Sequence, residues 1–171
     1  MAQQERNRSD SLASDTSDRE IVITRLLDAP RELVFRVWTD PRHVVHWWGP
    51  AGFTNTNREM DVRPGGAWRF VMHGPDGVDY NNRCVYTEVV PPERLVYIHD
   101  ADIENDPDSF HVTVTFEKQG GKTLLTMRSL FRSAAARDYV IKEYGALDGA
   151  NQHVDRLAAY LAAEQTKGDL A

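Results

Sequence analysis

Cysteine is almost absent: Cys84 is alone in 171 residues. It allows no internal disulfide and no thiolate cluster around a metal, and it fits a reducing compartment. No apolar run reaches the roughly 18 residues a membrane helix needs, so none is expected to span a bilayer. The opening MAQQERNRSDSLASDTSD lacks the apolar stretch of a secretory signal. Basic charge is scarce too. Lys and Arg number 20 against 26 Asp and Glu, a formal net charge of −6, which argues against a nucleic-acid partner. No Gly-x-Ser-x-Gly elbow and no glycine-rich phosphate loop occurs, because RPGG and QGGK read as hairpin turns. These absences describe a cytoplasmic protein expected to use no cofactor and no metal.

What is present is enough apolar material, 41% of the chain, for one core. Residues 1–18 are polar without periodicity and are expected to form a disordered tail, with 165–171 frayed at the other end. A single domain over 19–164 remains, with no repeat or linker inside it.

EIVITRLLDAP is β-branched and reads as a strand. Pro30 suits a first helical position, and Leu33, Val34, Val37 and Trp38 then recur at helical spacing. Asp40-Pro41 restarts a short helix through Val44 and Val45, stopped at Trp47-Trp48-Gly49-Pro50. The pair has the outline of a helix–turn–helix, but so few Lys and Arg on the second helix speak against DNA reading. From Phe53 to Phe131, six segments of strand character alternate with turn signals such as RPGG, GPDG, PPER and QGGK, the mark of an antiparallel meander. SAAARDYVIKEY is a short helical segment closed by Gly145. A long amphipathic helix follows, with Leu147, Ala150, Val154, Leu157, Ala158 and Leu161 on one stripe and Asp, Arg (including Arg156) and Glu on the other. The order is β-αα-β6-α, an α+β class.

DAPRELVFRVWTDPRHVVHWWGP, DVRPGGAWRFVMHGPDG, VYTEVVPPERLVY and VDRLAAYLA, in this order between Glu20 and Leu161, resemble the SRPBCC superfamily. Within it they are similar to the branch related to the C-terminal domain of the activator of the heat-shock-protein-ninety ATPase. The resemblance implies the START-like, helix-grip fold: a curved antiparallel sheet of about seven strands wrapped around a long C-terminal helix. Members mostly bind hydrophobic molecules between sheet and helix, and some are cyclases or hydrolases. Against its relatives, this chain has Cys84 where glycine is common, which is expected to narrow the cavity. It has His153 where an apolar or small polar residue is common.

Strand alternation and the helix stripe give the expected lining: Trp48, Trp68, Phe70, Met72, Tyr97, Phe110, Val112, Met127, Leu147 and Val154. Tyr80, Asn82 and Asn151 are the expected polar anchors, since asparagine is unusual in a strand. Neighbouring residues on a helix point about 100° apart. Of Trp47 and Trp48, one is therefore expected to seal the core and the other to cover the cavity. His43 and His46 are expected on an exposed helix face. His99 and His111 are expected opposite each other on neighbouring strands, with alternation turning His111 to solvent. The acids Asp100, Asp102, Glu104, Asp106 and Asp108 read as a solvated loop, and Cys84 as an inert buried thiol. The favoured function is binding of a small hydrophobic or lipid-like molecule. The alternatives are a co-chaperone-like adaptor with a protein partner, and a cyclase or hydrolase using the same cavity. A monomer or weak dimer is expected.

Overall fold

The computed structural model describes residues 16–168. The expectations for residues 1–15 and 169–171 lie outside that range. Ser17–Arg19 form a 3₁₀ turn inside the stretch read as tail, leading into β1 (Glu20–Leu27). Two helices follow, α1 (Arg31–Thr39) and α2 (Pro41–Val44). Six strands come next: β2 (Thr54–Met60), β3 (Ala67–His73), β4 (Asp79–Val90), β5 (Arg94–Asp100), β6 (Phe110–Gln119) and β7 (Lys122–Leu130). The chain ends in α3 (Ala134–Tyr144) and α4 (Ala146–Gly168). Helix α4 thus runs through Gly168, into the stretch expected to fray.

The seven strands make one antiparallel sheet in the order β1-β7-β6-β5-β4-β3-β2. β2 to β7 are a meander, and β1 closes onto β7, so α1 and α2 carry the chain from one edge to the other. This is the α+β helix-grip architecture.

Local chemistry sets the element boundaries. Pro30 is the N-cap of α1 rather than its first residue, and its carbonyl accepts from the N–H groups of Leu33 and Val34. Asp40 caps α2 by accepting from the Arg42 N–H at 2.9 Å, and its carboxylate also holds the Arg42 guanidinium at 2.8 Å. That pairing pulls the Asp40 carboxyl down to about 2. Helix α2 lasts one turn, so Trp47 and Trp48 sit in the turn that follows it. Gly145 adopts the left-handed conformation that ends α3, its N–H donating to the Ile141 carbonyl.

The sheet's inner face and the buried stripe of α4 enclose the core. All four tryptophans of the chain join in it: Trp38 meets Trp47 at 5.0 Å and Trp48 at 5.8 Å between ring centroids, and Trp48 meets Trp68 at 4.7 Å. The long helix is tied over β1 by Arg25–Asp155 at 2.6 Å and by Gln165 donating to the Asp28 carbonyl at 2.9 Å. Val154, Leu157 and Leu161 are buried there. Toward its N-terminus α4 stands away from the sheet: Leu147, Asp148, Asn151 and Gln152 are exposed.

Candidate functional site

Where α4 leaves the sheet, a cleft of about 690 Å³ opens. Its floor is built by inward-facing residues near the strand ends: Met72 of β3, Asn82 of β4, His99 of β5 and Phe110 of β6. Tyr80 of β4 stands at the rim, 41% exposed. One wall is Pro50, Ala51 and Phe53, the segment after the tryptophan pair; the opposite wall is Ala101, Asp106 and Asp108 of the β5–β6 loop. Tyr144, Gly145, Asp148, Gly149 and Gln152, at the junction of α3 and α4, form the roof.

The floor is apolar with a small polar centre. His99 Nε2 lies 2.8 Å from Asn82 Oδ1, and Asn82 Nδ2 donates to the Tyr80 carbonyl at 3.0 Å. This is why asparagine is tolerated in the strand: both ends of its amide are used. Burial pushes His99 down to about 4, against a smaller upward pull from Asp100 and Asp106, so the imidazole is neutral at pH 7. The facing Gln152 accepts from the Ala51 N–H at 3.1 Å and so ties helix to wall.

Behind this wall the loop is held by two residues of α4. His153 Nδ1 accepts from the Gly49 N–H at 3.0 Å. Arg156 Nη1 donates to the carbonyls of Trp48, Gly49 and Pro50 at 2.8, 3.1 and 2.9 Å. Arg156 is therefore a strut of the wall, not a member of a free polar face. His153 is 6% exposed and ringed by Trp38, Trp47 and Trp48. Burial, then the nearby Arg156 and His99, holds it down to about 3. Gly49 has φ +93°, a conformation that favours glycine, and a Cβ there would also displace the tip of Met72, whose Cε would lie 2.7 Å away.

Of the residues expected to line the cavity, Met72, Tyr80, Asn82 and Phe110 come together in the cleft. Trp48, Trp68, Phe70, Tyr97, Val112 and Val154 face inward but are sealed in the core, between 0% and 3% exposed. Met127 packs against that core. Leu147 is 40% exposed, and Asn151 turns to solvent, where its Nδ2 donates to the Leu147 carbonyl. The division of labour expected for the tryptophan pair gives way to one shared role: Trp47 and Trp48 are 1% and 3% exposed, and the Trp47 indole N–H donates to the Val37 carbonyl at 3.0 Å. The chain leaves the helix at Val45, so the 100° separation of helical neighbours does not apply.

Other expectations also move. His99 pairs with Phe110 across the sheet, and His111 with Ile98, so the two histidines lie on opposite faces and cannot share a ligand. His43 is half-buried, with Nδ1 at 2.6 Å from the Tyr160 hydroxyl. The acidic loop is ordered by arginines of the outer face: Arg83 holds Asp100 at 2.8 Å and Arg69 holds Asp102 at 3.1 Å. Cys84 is fully buried, away from the cleft, its thiol pushed up by burial. Among the described residues no three His, Cys, Asp or Glu side chains converge as metal ligands. Nor is any helix there long and apolar enough to cross a membrane. Sequence reading missed the Pro50–Phe53 wall and the Tyr144–Gln152 roof.

The model of the Activator of Hsp90 ATPase homolog 1-like protein family matches residues 28–162. The chain belongs to this family. Among curated proteins none matches it. Solved structures of similar fold include a Chromobacterium violaceum protein, 28% identical, with TM-score 0.72 over 84% of this chain and 96% of that one. A Mycobacterium smegmatis protein is 27% identical, with TM-score 0.75 over 85% of this chain and 92% of the other. An AHSA1 protein of Silicibacter pomeroyi is 21% identical, with TM-score 0.68 over 85% and 99%, a likeness of fold alone. This family membership and START-like architecture support a ligand-binding or adaptor domain in general terms.

Proposed function

We propose that this family member binds a small, mostly apolar molecule in the cleft between the sheet and the N-terminal end of α4. The carrying observation is the cleft itself. It has about 690 Å³, within the range of small-molecule sites, and its apolar floor of Met72 and Phe110 surrounds one polar pair, Asn82 and His99. Apolar burial of about 250 Å² at about 25 cal/mol per Å² supplies roughly 6 kcal/mol before ordering costs, which leaves affinity in the micromolar range. A delipidated preparation titrated with 1-decanol should melt at higher temperature as the alcohol rises through tens of micromolar. An unchanged melting temperature up to the solubility limit would remove the binding reading and leave the adaptor in first place. The adaptor has its own support in Tyr139, Tyr144 and Leu147, all exposed on α3 and the start of α4.

A further inference from the structure

The charge around the cleft is one-sided. Among the described residues four carboxylates line it, Asp100, Asp106, Asp108 and Asp148, and no Lys or Arg does. They come from both sides of the opening, three from the β5–β6 region and one from the first turn of α4.

Two of the four are balanced. Asp100 is held by Arg83 at 2.8 Å, and Asp108 lies 3.5 Å from Arg132. Among the described residues the Asp106 carboxylate accepts from the backbone N–H groups of Ala101 and Asp108, which leave its charge in place. Asp148 has no ion pair among the described residues. Arg156, on the same helix as Asp148, is committed to three wall carbonyls. The positive end of α4 at Ala146 is opposed by the negative end of α3, which stops at Tyr144 with only Gly145 between them.

Among the described residues the buried side-chain atoms without a partner are Arg31 Nε, Asn55 Oδ1, the Tyr97 hydroxyl and His153 Nε2, and none of these residues lines the cleft. His99 on the floor is neutral. Aromatic rings, by contrast, surround the acids: Phe53, Tyr80, Phe110 and Tyr144 all line the cleft. Carboxylates beside aromatic faces attract an ammonium group through Coulomb and cation–π terms together, and they repel a carboxylate or phosphate head.

Building on the binding reading above, we propose that the cleft selects an apolar molecule bearing a protonated amine, and disfavours fatty acids and other anionic lipids. The hydrocarbon lies on Met72 and Phe110. The ammonium sits at the mouth, between Asp106, Asp148 and the rings of Tyr80 and Tyr144.

Three probes of one chain length separate charge from apolar contact: decylamine, 1-decanol and decanoate, each titrated calorimetrically into the full chain below its micelle concentration at pH 7. The expected order is decylamine tightest and decanoate weakest, with at least tenfold between those two. Asp148→Asn should narrow that gap about threefold or more. Added salt should narrow it as well. Glu117→Gln, at the far end of β6, should keep the wild-type ranking. Equal affinity for the three probes, or a preference for decanoate, overturns the proposed selectivity while the binding reading stands. A gap that Asp148→Asn leaves untouched overturns the assignment of the ammonium to this mouth. Failure of all three probes to bind removes both readings.

Discussion

His153 shows how a residue that stands out in the sequence can have a role only the packing reveals. On the sequence it is a polar side chain in the apolar stripe of α4, next to Val154. In the structure it is a packed hydrogen-bond acceptor for the Gly49 N–H at 3.0 Å, enclosed by three indoles. That environment favours the neutral ring, with its value brought down from 6.5 to about 3. The unfolded chain therefore takes up the proton first. Stability from His153 is complete above pH 6.5 and declines as pH falls from there toward about 3, by about 1.4 kcal/mol per pH unit at most. Urea denaturation of the wild type should lose stability between pH 6.5 and 4.5 more steeply than His153→Gln, whose amide oxygen still offers the Gly49 N–H an acceptor. Parallel curves for the two proteins would contradict a neutral buried His153.

At the scale of elements, the sheet was legible because alternation and turn chemistry agree along most of it. Trp68 and Phe70 against Arg69 fix the facing of β3, and Val112, Val114 and Phe116 fix that of β6. Helix α4 was legible as a helix but not in its packing. Its apolar stripe begins at Leu147, yet burial begins at His153 and Val154, because the wall segment Pro50–Phe53 lies beneath the first turns. Periodicity states which face of a helix is apolar; it does not state which turns meet the sheet. Gly149 sits at this junction, and a Cβ there would lie 3.7 Å from Pro50 Cγ, an ordinary contact. Gly149→Ala should therefore raise unfolding stability by about 0.5–1 kcal/mol through helix propensity. A loss of stability on chemical denaturation would mean that α4 and the wall approach each other more closely than this.

Across the whole molecule, most of the residues expected to line a cavity face inward, and many of them are sealed in the core. Inward-facing residues could be named from period two, but which of them a ligand can reach depends on side-chain volume. Trp38, Trp47, Trp48 and Trp68 fill the middle of the grip, so the open space shifts to the strand ends, where Met72, Asn82 and Phe110 remain accessible. The lining positions of Pro50–Phe53 belong to a loop, and those of α4, Asp148, Gly149 and Gln152, are polar or glycine, so neither set carries an apolar periodic signal. Gly149 lines this space from α4, and a Cβ there makes only ordinary contact with Pro50, so a longer side chain at this position is expected to take up part of the cleft. The decisive measurement is the dissociation constant of 1-decanol for wild type and for Gly149→Leu, with the melting temperature of each recorded without ligand. A ligand site in the cleft predicts micromolar binding by wild type and at least tenfold weaker binding by Gly149→Leu, with the variant melting no lower than wild type. Equal binding by the two proteins would place the alcohol elsewhere and contradict it.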